Sequence, residues 1–131
     1  MRKNLILLLL SVWCSGFAQC PPSGTIILSS QKEVNEFSES YSNCDSILGD
    51  LIIFSGVSES TNDIVTSNIV DLTSLNFLKS IDGNFKIIVD ATEIIGFNNL
   101  IQVRGDIEIT NSNSVTLISG FKNLKFANDI I

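Results

Sequence analysis

Asp50, Asn84, Asp106 and Asp129 each follow a glycine or asparagine and precede an apolar residue. Set in register they would form a column of carboxylate and amide oxygens, the ligand type that calcium prefers. The plainer chemistry of such a column is a ladder of turns in which Asx side chains bond neighbouring backbone amides. The glycine–aspartate nonapeptide of calcium-binding repeats is missing, so the ladder is expected without metal or any other cofactor. A second pair of carboxylates, Glu93 and Glu108, could in principle cleave glycosides as acid and nucleophile. No histidine occurs anywhere, which removes a Ser-His-Asp triad and histidine metal sites. No glycine-rich phosphate loop is present either, and the chain is expected not to be an enzyme. Arg104-Gly105-Asp106 spells an adhesive tripeptide, but Gly105-Asp106 repeats the slots of Gly49-Asp50 and Gly83-Asn84 and runs straight into an apolar stretch. A turn in a repeat explains it better than an adhesive loop.

The chain opens with Arg2 and Lys3, an apolar run from Leu5 to Val12, and small residues in "SGFAQ". This is the order of a secretory signal peptide, residues 1–19. The run is too short to span a membrane and no later stretch is longer, so a secreted or cell-surface protein without a membrane span is expected. Beyond residue 19 six basic residues face fourteen acidic ones, a net charge of −8. That balance disfavours nucleic acid and anionic membranes as partners. Two cysteines, Cys20 and Cys44, remain in that part of the chain. In an exported protein they read as a disulfide closing a loop of about two dozen residues, a contribution of roughly 3 kcal/mol; a metal pair would lack histidines to complete it.

These residues have to be positioned by repeating elements. "IDGNFKI" at 81–87 returns as "VRGDIEI" at 103–109, with earlier and later copies in "ILGDLII" and "FANDII". The turn slots fall at Gly49-Asp50, Gly83-Asn84, Gly105-Asp106 and Asn128-Asp129, spaced by 34, 22 and 23 residues. Upstream, Leu72, Leu75, Leu78 and Ile81 match Ile94, Phe97, Leu100 and Val103 at the single offset of 22. Period-two alternation in Phe85-Lys86-Ile87 and Ile107-Glu108-Ile109 predicts strands, stacked in parallel with Phe85 on Ile107 and Ile87 on Ile109. Lys86 and Glu108 become lateral neighbours on the outer face. One such repeat cannot bury its own apolar side, which predicts a solenoid of stacked coils. Before the repeats, Ser30 with Glu33 is a capping box, and Val34, Phe37 and Tyr41 share a face, predicting a helix over Gln31 to Tyr41.

With the rungs "ILGDLII", "SIDGNFKII" and "VRGDIEI" and the links "FLKS" and "GFNNL", residues 20 to 131 resemble the receptor L domain family, in particular its exported bacterial type with a cysteine-bounded N-terminal segment. The resemblance implies an all-β, right-handed parallel β-helix, similar to leucine-rich repeats, with a short N-terminal capping helix. The expected division is a signal peptide at 1–19, a disulfide-tied cap at 20–45 and solenoid repeats at 46–131 that stop inside the fourth rung. Asn128 departs from the rung glycine, and Ser112 stands where a true leucine-rich repeat has asparagine.

The twelve extra residues between the first two rungs should bulge as a loop, with Ser58, Glu59, Ser60, Thr61, Asn62 and Asp63 as a candidate binding loop. Outward-facing Ile52, Ile88 and Ile131 would add an apolar strip suited to docking. The function expected is a non-enzymatic recognition module that binds an extracellular protein or glycan through the strand face and this loop. The alternative is a structural spacer or the N-terminal part of a larger surface adhesin or polysaccharide-degrading enzyme. A bare last rung would also offer its edge for self-association.

Overall fold

In the computed structural model the described residues are 20–55, 69–89, 93–110 and 117–131. The signal segment 1–19 and the candidate loop from Ser58 to Asp63 lie outside them. Strand β1 is Ile26–Leu28, followed by helix α1, Gln31–Tyr41. The helix starts where its capping residues dictate. Ser30 Oγ accepts from the Glu33 amide, and the Glu33 carboxylate reaches back to the Ser29 amide at 2.6 Å, so two amides that no helical carbonyl can reach are satisfied. Val34 and Phe37 form its buried stripe.

Eight short strands follow: β2 (Ser46–Ile47), β3 (Leu51–Phe54), β4 (Ser80–Ile81), β5 (Phe85–Ile88), β6 (Glu93–Ile94), β7 (Gln102–Val103), β8 (Ile107–Thr110) and β9 (Leu117–Ile118), with a 3-10 turn at Thr73–Phe77. Among the described residues they pair in three separate parallel sheets, ordered β1-β3-β5-β8, β2-β4-β7 and β6-β9. Residues 22 or 34 apart meet in register: Leu51 on Phe85 on Ile107, Ile53 on Ile87 on Ile109, and Ile47 on Ile81 on Val103.

The architecture corrects the expected all-β, right-handed β-helix of receptor L domain or leucine-rich-repeat type. The described residues have mixed α/β content: several short parallel sheets and one helix, with no closed solenoid among them. The physical reason lies in the length of the period-two pattern, which forms strands of at most four residues among the described residues. Residues 31–41 follow the 3.6-residue period instead.

The eight apolar positions matched upstream at the 22-residue offset are all buried, with Leu75, Ile81, Phe97 and Leu100 at 0% exposure. Three phenylalanines fill the centre. Phe85 meets Phe97 edge-on with centroids 4.7 Å apart, and Phe97 stacks on Phe121 at 5.6 Å with rings 8° from parallel. Among the described residues Phe97 and Phe121 are also the two non-glycine residues with positive φ, 58° and 66°. Their turns swing each ring inward, and burial of the ring offsets the cost of left-handed backbone.

Candidate functional site

The turn column is a hydrogen-bonded ladder. Asp50 Oδ1 accepts from the Asn84 amide at 2.7 Å, and Asn84 Oδ1 accepts from the Asp106 amide at 3.0 Å. The glycines beside them stack backbone on backbone, the Gly83 amide donating to the Gly49 carbonyl and the Gly105 amide to the Gly83 carbonyl, both at 3.0 Å. A Cβ at Gly105 would lie 2.7 Å from the Gly83 oxygen, which is why the slot takes glycine. At the fourth position the pattern changes. Asn128 Nδ2 donates to Asp106 Oδ1 at 2.6 Å, and Asp129 turns its carboxylate onto the Ile130 amide at 2.8 Å. One side-chain oxygen at each of these four slots thus accepts from an amide. Among the described residues no group of three or more His, Cys, Asp or Glu is arranged to hold a metal.

Beside the ladder lies the outer face of the four-stranded sheet. Register places Ile27, Ile52, Lys86 and Glu108 in one lateral row and Phe54, Ile88 and Thr110 in the next. Ile27 is 59% exposed, whereas Ile52 and Ile88 are half-buried, so the apolar strip begins one strand earlier than Ile52. A shallow groove of about 250 Å³ runs here past Asp50, Ile52, Asn84, Lys86, Asp106 and Ile131. Its size and openness suit a side chain or single sugar unit rather than an enclosed small molecule. Lys86 Nζ sits 3.0 Å from Glu108 Oε1. That hydrogen bond, then one from the Thr110 hydroxyl, holds the Glu108 carboxyl below its ordinary range.

Glu93 and Glu108 stand in different sheets, β6 and β8. The glutamate pair considered for glycoside cleavage is therefore not brought together on one strand ladder. Arg104 pairs with Asp82 at 3.5 Å, while Gly105 and Asp106 belong to the ladder, so the tripeptide is built into a turn. Cys20 and Cys44 form a disulfide with Cα atoms 5.5 Å apart, tying the segment before β1 to the residues after α1. Among the described residues no helix is long and apolar enough to cross a membrane.

Two features escaped sequence reasoning. Gly24 begins a zeroth row: its backbone lies under Gly49, and β1 pairs with β3. The signal was present in "SGTIIL", where threonine stands in the Asx slot. The second is an asparagine ladder on another side. Asn98 donates its amide to Asn76 Oδ1 at 3.0 Å, Asn99 Nδ2 donates to the Asn76 carbonyl at 2.7 Å, and Asn123 Nδ2 to the Asn98 carbonyl at 2.6 Å. "FNN" at 97–99 and "FKN" at 121–123, with asparagine two residues after each phenylalanine, could have shown it.

Compared with known proteins, the chain matches no protein-family model, no curated sequence and no solved structure.

Proposed function

We propose that the chain is a secreted or cell-surface recognition module, non-enzymatic, binding a protein or glycan through the outer face of the β1-β3-β5-β8 sheet and the 55–68 loop. One observation carries this reading: the sheet turns outward a continuous row of apolar and charged side chains, from Ile27 through Ile52 to the Lys86–Glu108 pair, beside a backbone ladder that fixes its spacing. Rigid strands that present mixed apolar and charged groups suit recognition, because little side-chain or backbone freedom is lost on binding. The disulfide supports an oxidising destination.

The test is binding by the full chain to a panel of extracellular proteins and glycans, repeated with Ile27→Asp/Ile52→Asp and with residues 56–62 exchanged for a short Gly-Ser link. Loss of a bound partner in either variant supports the reading. An unchanged partner profile in both favours a structural spacer or a part of a larger adhesin or polysaccharide-degrading enzyme.

A further inference from the structure

Six basic residues follow residue 19. Lys32, Lys79, Lys86 and Arg104 each face a carboxylate: Glu36, Asp45, Glu108 and Asp82. Lys122 and Lys125 have no ion pair among the described residues. Lys125 lines a groove of about 200 Å³ together with Lys79, Asn99, Ile101 and Asn123. The groove lies along the asparagine ladder, whereas the sheet-face groove is lined by Asp50, Asp106 and Glu108. Two lysines converging in one groove are unusual on so acidic a chain.

The amides in the groove are pre-oriented. Asn99 and Asn123 are exposed, and each spends one N–H on a backbone carbonyl of the preceding row. That bond fixes which way the amide faces and leaves its Oδ1 and second N–H without a partner among the described residues. Both sit in successive rows, about 4.8 Å apart by the spacing of paired strands, comparable to the length of one pyranose unit. Ile101, 39% exposed, adds an apolar side chain to the same lining. Fixed amides, an apolar patch and an uncompensated ammonium match the hydroxyls, C–H face and carboxylate of an acidic sugar. Asp45 already pairs with Lys79 at 3.4 Å, so Lys125 is the ammonium left for a ligand, and carboxylates farther than about 8 Å away are screened at physiological salt.

We infer that the groove formed by Lys79, Asn99, Ile101, Asn123 and Lys125 binds a uronic acid residue of an anionic polysaccharide. This rests on the recognition reading in taking a glycan as partner, but it uses a different surface. The experiment is titration calorimetry of the full chain with polygalacturonate, with dextran and poly-glutamate as comparison polymers. Polygalacturonate should bind and dextran should not. Lys125→Glu should weaken binding about tenfold or more, with Lys125→Gln intermediate and both variants keeping the parent circular dichroism spectrum. Ile27→Asp/Ile52→Asp should leave this binding unchanged, so failure of the groove and failure of the sheet face are read separately. Absence of polygalacturonate binding, binding indifferent to both Lys125 substitutions, or equal binding of poly-glutamate would overturn the inference.

Discussion

Replacing Gly83 with alanine tests the stacking of turn on turn most directly. Its backbone is not left-handed, so alanine could adopt the conformation, and loss of chain freedom in the unfolded state alone would stabilise the protein by about 0.4–1 kcal/mol. The neighbouring row reverses that sign. A Cβ at Gly83 would lie 2.7 Å from both the carbonyl carbon and oxygen of Gly49, and closer still to Asp50 Oδ1. The carbonyl belongs to the ladder and cannot swing aside without breaking the 3.0 Å bond to the Gly83 amide. Overpacking of this kind costs about 1–3 kcal/mol. Displacing the Asp50 carboxylate from the Asn84 amide adds about 1 kcal/mol for a hydrogen bond on the exposed rim. Set against the gain from the unfolded state, the expected net loss is about 1–3.6 kcal/mol. With a urea slope of about 1.5 kcal/mol/M for a domain of this size, the midpoint falls by roughly 0.7–2.4 M. Urea unfolding followed by far-ultraviolet circular dichroism reads it. A midpoint unchanged or raised in Gly83→Ala would refute close backbone stacking at this slot.

Four further outcomes follow from the same geometry. Asn84→Asp would place a third carboxylate between Asp50 and Asp106, at a cost of about 1 kcal/mol per neighbour at row spacing in water; unfolding at neutral pH should show the loss, and acidification should recover it. Cys20→Ser with Cys44→Ser should lower stability by about 3.5 kcal/mol on the loop-entropy estimate for a separation of 24 residues, and an equal midpoint with and without reductant would contradict it. Phe97→Ala, which empties the space between Phe85 and Phe121, should cost about 3–5 kcal/mol, checked by the same denaturation curve. The carboxyls of Glu108 and Asp71 are both held below their ordinary range, Glu108 first by Lys86 and Asp71 first by the Thr73 hydroxyl. Their stabilisation is therefore present above the unfolded-state values and is lost as pH falls through the folded ones. Lys86→Met should bring the Glu108 titration, followed by carboxyl-carbon NMR, back up toward the ordinary range, and no movement would show that the pair is not formed in solution.

Much of the local structure was legible because it depends on nearest neighbours. Ser30 and Glu33 set the start of α1, and the offset of 22 residues from Leu72-Leu75-Leu78-Ile81 to Ile94-Phe97-Leu100-Val103 identified core positions that are in fact buried. The pairing of Lys86 with Glu108 and of Phe85 with Ile107 follows from the same offset, since parallel strands in one register bring equal slots together. The Asx column was legible too, with its ladder chemistry, because side-chain oxygens at a turn find the nearest amide.

The sequence by itself determined the register, the helix, the disulfide partners and the identity of the buried row. Only the tertiary structure decided the fold class. A repeat says which residues stack, but it does not say whether the stacked strands close into a continuous helix or stay as three short sheets beside a helix. That outcome depends on where each two- to four-residue strand runs out of alternation and on how the turns between strands lie in space. The asparagine ladder belongs to the same class of fact. Asn99 and Asn123 are ordinary turn residues in the sequence, and their oriented amides exist only because the carbonyl of the row below sits within hydrogen-bonding reach.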